Sequence, residues 1–318
     1  MGIKEIQEAA ERIDDSIIHT PLLTSDVIDE RAGAELVFKP EGLQHGGSFK
    51  LRGAANAIQQ ISKPEGGVVA YSSGNHGKAL AYMGHKLNIP VTLVLSNQVE
   101  AAKLEAVIHY GAEVVQYDPA TQSRVEVANE IADRTGAELI PPYDDERVIA
   151  GQGTVALELL EQDPSLDMIV VPVGGGGLIA GCAIAAKEVK TEKAVEVIGA
   201  EPVTADDVKK SLETGEIVRI EDEDINTICA GLRTNSPGEI PFEYIKKYVD
   251  RVEVAGDDRV REAMRLIWDE LKLVVEPAGA LALACVFEHP DIFRGKRIGI
   301  VICGSNISIE DYMTAAKG

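Results

Sequence analysis

No stretch of this sequence of 318 residues approaches the ~20 consecutive apolar residues that a membrane-spanning helix needs. The opening, Met1-Gly2-Ile3-Lys4-Glu5, runs directly into a charged helical pattern and not into a signal peptide, so a cytoplasmic location is expected. Basic residues are few, 31 Lys and Arg against 52 Asp and Glu, for a formal charge of −21. That field repels nucleic acid and anionic membrane surfaces, which excludes both as expected partners. Cysteine is equally sparse. Cys182, Cys229, Cys285 and Cys303 sit in apolar or glycine-rich surroundings with no C-x-x-C spacing, so neither a zinc site nor a redox pair is expected and the thiols read as reduced. Internal repeats, low-complexity tracts and flexible linkers are also missing.

What remains is ordinary globular composition, 45% apolar and 26% charged, in a chain long enough for two domains or one large unit with a lobe. Apolar runs at 36–38, 68–71, 91–95, 114–117 and 138–140 alternate with helical patterns at 51–58, 75–86, 99–110 and 124–135. A second alternating series follows Pro141-Pro142, with a helix around 154–160, a strand at 168–173, a helix of small residues at 178–187 and strands at 195–200 and 298–302. Strands alternating with helices predict βαβ units and parallel sheets, and such sheets bind ligands beyond the carboxyl ends of their strands. Two α/β lobes sharing a cleft is the expected architecture.

Chemistry-bearing residues gather at those strand ends. His45-Gly46-Gly47-Ser48-Phe49-Lys50 sets a lysine behind two glycines, a hydroxyl and an apolar wall at the start of a helix. A desolvated lysine there can stay neutral and nucleophilic and can form a Schiff base with an aldehyde cofactor such as pyridoxal phosphate. A surface lysine at a helix N-terminus fits the hexapeptide as well. Gly174-Gly175-Gly176-Gly177, between an apolar strand and a helix, can turn several backbone N–H groups onto one anion. It lacks the Lys-Ser/Thr of a nucleotide P-loop and the spacing of a dinucleotide fingerprint, so a cofactor monophosphate suits it, with a plain tight turn as the alternative. Ser72-Ser73-Gly74-Asn75-His76-Gly77 occupies the same strand-to-helix position and could hold a substrate carboxylate or could simply cap the helix.

The Lys50 segment, the Ser72–Gly77 segment, the tetraglycine and the late Cys303-Gly304-Ser305-Asn306 occur in an order and spacing that resembles the fold-type II pyridoxal-phosphate enzymes, specifically the serine/threonine dehydratase and serine racemase group. The resemblance covers nearly the whole chain. It implies the tryptophan synthase β-like α/β fold, with two parallel-sheet domains and the active site in the cleft. Residues 1–66 and 144–318 would form the large cofactor-binding domain and 67–143 the small domain carrying the carboxylate loop.

By that resemblance Lys50 carries the cofactor and acts as the base, Phe49 packs near its ring, Asn75 bonds its phenolic oxygen, Gly174, Gly175, Gly176, Gly177 and Leu178 cradle its phosphate, and Cys303 faces its ring nitrogen. Ser72, Asn75 and His76 would take the substrate carboxylate, with Arg124 and Thr234 closing the site. Arg124 could also be a solvated helix residue. Glu201, Ala205 and Asp207 resemble the family's divalent-cation loop. Hard oxygen ligands suit Mg2+ or Mn2+, although two acids in so acidic a chain could simply be solvated. Two positions depart from the group's pattern, Cys303 where serine is usual and Ala230 where aspartate is usual.

The implied activity is an ammonia-lyase converting L-serine or L-threonine to pyruvate or 2-oxobutyrate plus ammonia, in a homodimer. Serine racemisation, beside or instead of elimination, is an alternative, because Ser73 stands where racemases carry a proton donor for the face opposite Lys50. Elimination from 3-hydroxyaspartate or another β-hydroxy amino acid is a second alternative. A non-catalytic amino-acid sensor is a third, and the presence of Lys50 argues against it.

Overall fold

The computed structural model describes residues 1–191 and 193–317, with backbone alone for 102 and 103. Among these residues nine strands build two sheets. They are β1 Glu35–Pro40, β2 Val68–Ala70, β3 Val91–Ser96, β4 Glu113–Tyr117, β5 Glu138–Leu139, β6 Met168–Pro172, β7 Glu196–Pro202, β8 Arg251–Ala255 and β9 Arg297–Ile302. The larger sheet has the order β1-β9-β6-β7-β8 and the smaller the order β4-β3-β2-β5. Every ladder in both is parallel, and the fold is two parallel-sheet α/β domains.

Helices cover both faces of the larger sheet, so its central strands β6 and β9 are continuous Val/Ile runs, buried along nearly their whole length. The edge strand β4 keeps a mixed, partly exposed pattern. The register sets Pro40 beside Ile302 and Val170 beside Ile300. The chain therefore leaves β1, β9 and β6 on one edge of the sheet, and those exits are the Lys50 loop, Cys303 and the tetraglycine.

The main difference from the expected elements is the helix Glu146–Gln162, which starts well before the anticipated 154. Asp145 caps it, accepting a hydrogen bond from the Arg147 N–H at 2.7 Å. Gly151 and Gly153 look like breakers in sequence, but here they permit close packing. A Cβ on Gly151 would stand 2.4 Å from the Arg52 carbonyl oxygen, so only glycine lets this helix lie against the helix Lys50–Ile58. Strand β8 has no counterpart among the apolar runs read from the sequence, and it pairs with β7 at the edge of the larger sheet.

A buried charge cluster anchors the Lys50 helix. Arg52, with a side chain 0% exposed, donates from Nε and Nη2 to both carboxylate oxygens of Glu41 at 2.7 and 2.8 Å, and from Nη1 to Glu158 at 2.9 Å. Lys39 donates to Glu158 at 2.5 Å, to the Thr20 carbonyl at 2.7 Å and to Gln162 at 2.8 Å. Two cations and two carboxylates thus neutralise one another between β1, the Lys50 helix and the helix Glu146–Gln162, which is the condition on which burial of charge is tolerated.

Candidate active site

Lys50 opens the helix Lys50–Ile58. Just before it, Phe49 donates its backbone N–H to the Cys303 carbonyl at 3.0 Å, and Ser48 bridges to Gly304, so the lysine loop is stitched to the end of β9. The Lys50 Nζ donates to the Pro142 carbonyl at 2.7 Å and lies 5.1 Å from the centre of the Phe49 ring. Among the described residues no carboxylate pairs with it. Burial without a counterion lowers its pKa to about 8, with Cys303 nearby acting in the opposite sense. A lysine amine so placed is available as a nucleophile and base near neutral pH.

Tyr143 joins this amine to the tetraglycine. Its neighbour Pro142 holds the lysine, and a Cβ on Gly175 would fall 2.4 Å from the Tyr143 ring, so glycine is required where ring and loop meet. Gly176 has φ +93°, an ordinary conformation only for glycine, and it turns the chain into the helix Gly177–Glu188. The N–H groups of Gly177, Leu178 and Ile179 lie in that helix's first turn, where an α-helix leaves its amides without internal partners, and the macrodipole adds attraction for an anion. The loop around Leu232 packs on Gly174, and nearby Thr234 buries a hydroxyl with no hydrogen-bond partner among the described residues.

The Ser72–Gly77 segment ends β2 and opens the helix Asn75–Leu87, so the N–H groups of Asn75, His76 and Gly77 form a second anion-binding helix end. The His76 ring plays a narrower part than its place in the motif suggests. It is buried, its Nε2 donates to the Ile140 carbonyl at 2.9 Å, and burial together with the Lys50 charge lowers its pKa to about 3. A neutral imidazole with its one N–H spent has no proton to offer a carboxylate, so the contribution left to His76 is its main-chain N–H. Ser72 Oγ accepts from the Gly74 N–H at 3.3 Å. Ser73 is half-buried on the same loop. Arg124 heads the helix Arg124–Thr135, exposed, with its guanidinium carbon 5.6 Å from the centre of the Tyr71 ring.

Cys303 is buried at the end of β9. Burial, and then the Glu276 charge, push its thiol well above the usual range, so it stands there as a neutral SH. Glu276, Pro142, Tyr143 and Lys78 were not singled out by sequence reasoning. Glu276 accepts from the Asn75 amide at 2.9 Å, and Lys78 donates to Asn306 at 2.8 Å. The only sequence signal for any of these is the placement of Glu276 before Pro277-Ala278-Gly279 and of Lys78 one turn into a motif helix.

In the 201–207 loop, both Glu201 carboxylate oxygens accept main-chain N–H groups, from Val208 at 3.0 Å and Lys209 at 2.9 Å. Both Asp207 carboxylate oxygens are buried without a partner among the described residues. Burial, and then repulsion from Asp207, push Glu201 well above the carboxylate range, and burial raises Asp207 to about 7. Among the described residues no group of three or more His, Cys, Asp or Glu side chains is placed to hold a metal. The donors here are two carboxylates and a backbone carbonyl at most, and the orphaned Asp207 oxygens fit a hard cation that takes the rest of its shell from water.

The family model described as pyridoxal-phosphate dependent enzyme matches residues 13–304. The chain belongs to this pyridoxal-phosphate dependent family. The chain is 38% identical over 316 residues to the L-threo-3-hydroxyaspartate ammonia-lyase of Saccharomyces cerevisiae, covering 99% of this chain and 96% of that protein. It is 41% identical over 311 residues to the serine racemase of Dictyostelium discoideum, covering 96% and 95%. Among solved structures, maize serine racemase superposes with a TM-score of 0.93 at 37% identity, covering 99% of this chain and 96% of that one.

A pyridoxal-phosphate enzyme with lyase and isomerase relatives is therefore what the chain is, and the expected fold and cofactor class hold. The finer expectation of L-serine or L-threonine elimination is less well supported than its alternatives, because the similar proteins include lyases named for 3-hydroxyaspartate and racemases named for serine. The cradle present suits the cofactor of this family: a desolvated amine, a glycine-lined helix end for a phosphate, and a second helix end for a carboxylate.

Proposed function

We propose that this enzyme is an ammonia-lyase for 3-hydroxyaspartate, releasing oxaloacetate and ammonia. Arg124 carries the reading. A substrate with two carboxylates needs a cation besides the helix end at Asn75–Gly77, and the exposed Arg124 guanidinium, which no carboxylate pairs with among the described residues, lies beside the Ser72 loop. It stacks on Tyr71, the residue immediately before the Ser72 loop, and from there can take the β-carboxylate bidentately.

In this proposal the main-chain N–H groups of Asn75 and His76 and the hydroxyl of Ser72 bind the α-carboxylate. Asn75 would meet the cofactor's ring oxygen, Phe49 its ring face and Cys303 its ring nitrogen, while Gly174 to Gly177 and Leu178 would hold its phosphate with Thr234 alongside. The bound cofactor supplies the electron sink for charge developing at Cα. The Lys50 amine, with its pKa near 8, removes the Cα proton. The proton gained by the Lys50 amine can pass to the β-hydroxyl, which leaves as water, and the released enamine tautomerises and is hydrolysed by a second water to keto acid and ammonia. A magnesium or manganese ion on Glu201, Asp207 and the Ala205 carbonyl belongs to the same proposal, supported by the unpartnered Asp207 oxygens. So do a small lobe of residues 67–143 and a cytoplasmic homodimer.

Serine racemisation is the second reading, and Ser73 favours it. Its side chain is half-buried in the carboxylate loop, and no hydrogen bond spends its hydroxyl among the described residues. A hydroxyl left free there can return a proton to the face opposite Lys50. Ser73→Ala would abolish D-serine formation from L-serine while sparing elimination.

Steady-state release of keto acid from L-threo-3-hydroxyaspartate, L-serine and L-threonine tests the main reading. A charge-assisted pair is worth about 1.5–3 kcal/mol, so Arg124→Gln should lower kcat/KM for 3-hydroxyaspartate by about 10- to 150-fold and change serine turnover by less than about threefold. Equal losses on both substrates, or a wild type that prefers serine, would overturn the assignment.

A further inference from the structure

Four side chains around Asn75 form a hydrogen-bonded chain with a single direction. Lys78 Nζ donates to Asn306 Oδ1 at 2.8 Å. Asn306 Nδ2 donates to Asn75 Oδ1 and to the Gly46 carbonyl, both at 2.7 Å. Asn75 Nδ2 donates to Glu276 Oε1 at 2.9 Å. An ammonium can only donate and an ionised carboxylate can only accept, so the two ends dictate which way each amide between them faces.

Turning the Asn306 amide over would aim its NH2 at the Lys78 ammonium and its oxygen at the oxygens of Asn75 and Gly46. Turning Asn75 over would set its oxygen against the Glu276 carboxylate. In the observed sense Asn306 has spent both N–H groups, whereas Asn75 has spent one and, among the described residues, keeps the other.

The chain also crosses between the lobes. Asn75 and Lys78 lie on the first turn of the helix that follows β2 of the smaller sheet. Asn306 and Gly46 lie on the loops after β9 and β1 of the larger one, and Glu276 sits just before the helix Pro277–Glu288. Contact across the joint is close enough that a Cβ on Gly304, just after β9, would come within 3.3 Å of Asn75 Nδ2.

We propose that Lys78 and Glu276 are positioning residues which, through Asn306, lock Asn75 across the joint between the lobes with its remaining N–H held for the ring oxygen of pyridoxal phosphate. Neither side chain need touch the cofactor. Their role is to decide the sense of one amide and to hold the small lobe's helix at the distance where that amide works. This rests on the reading that Asn75 faces the cofactor.

The test is binding of pyridoxal 5'-phosphate to apo-protein, read with the absorbance maximum of the bound form and the melting temperature of the apo form. Lys78→Met, which can no longer donate, should weaken binding about tenfold, close to 1.4 kcal/mol, and shift the absorbance maximum. Lys78→Arg, donor-only like lysine, should stay within about twofold of wild type. Asn306→Asp keeps a partner for Lys78, now as an ion pair, but cannot donate to Asn75. It should weaken cofactor binding and shift the absorbance maximum as Lys78→Met does, whatever the lost bond to the Gly46 carbonyl costs the apo melting temperature, a spectral change that a purely structural role would not produce.

Wild-type affinity in Lys78→Met or in Asn306→Asp, or a loss in Lys78→Arg equal to that in Lys78→Met, would overturn the proposal. A wild type that fails to bind the cofactor through Lys50 would instead defeat the underlying reading of the site.

Discussion

Replacing Arg52 by methionine removes the guanidinium that bonds both oxygens of Glu41 and one of Glu158 while keeping an unbranched apolar stem. Glu158 keeps Lys39 at 2.5 Å and, at the rim, His19 at 3.2 Å. Glu41 fares worse: its side chain is 0% exposed, and the hydrogen bond it keeps is the one from the Thr20 hydroxyl at 2.8 Å. Breaking a buried pair by deleting one partner costs about 3–5 kcal/mol, because an uncompensated charge stays behind.

In a chain of this size that loss lowers the melting midpoint by about 2 °C per kcal/mol, so by about 6–10 °C. The assay is thermal unfolding of Arg52→Met beside Glu41→Leu and the double variant. Since the damage lies in the stranded carboxylate, the double variant should melt above Arg52→Met. An Arg52→Met midpoint within about 2 °C of wild type, or a double variant less stable than Arg52→Met, would refute the reasoning that this cluster anchors the lysine helix through charge compensation.

Lys50→Ala should abolish keto-acid formation while leaving the melting temperature of the apo-protein within a few degrees, as turnover assays and thermal scans would report. The lowered Lys50 pKa has a definite sign: the neutral amine prevails above about pH 8, so the rate at which apo-protein captures pyridoxal 5'-phosphate should rise with pH and level off just above 8, whereas a midpoint near 10.5 would show a solvated lysine. Treatment with a chelator should lower the melting temperature and magnesium or manganese should restore it, and in protein proven metal-free the absence of any response would return Glu201 and Asp207 to ordinary buried acids. Because burial keeps the Cys303 thiol neutral, Cys303→Ser should leave elimination within about tenfold, a barrier change of about 1.4 kcal/mol; a far larger loss in kcat would mean the sulfur works as a thiolate.

Much of this protein is legible one residue after another. Alternating apolar runs and helical stretches determine parallel α/β lobes, because a strand buried on both faces must be apolar throughout while its crossover helix needs only one apolar stripe. The same local logic marks Lys50, Ser72–Gly77 and Gly174–Gly177, since glycine at a strand-to-helix turn has few physical reasons to recur. Local reasoning started the helix of 146–162 too late, at 154: Gly151 serves packing against Arg52 and Gly53, Gly153 serves packing against Ile6 and Gly181, and neither interrupts the helix.

Only the tertiary structure decides what depends on residues far apart in the chain. Pro142 meets Lys50 across 92 positions, Asn306 meets Asn75 across 231, and Glu276 meets Asn75 across 201. The His76 ring looked like a substrate ligand in its motif, yet its proton is spent on Ile140, 64 residues away. The direction of an amide, the protonation of a buried amine and the compensation of a buried charge are set by whatever packs against them, and that is known only once the chain has folded.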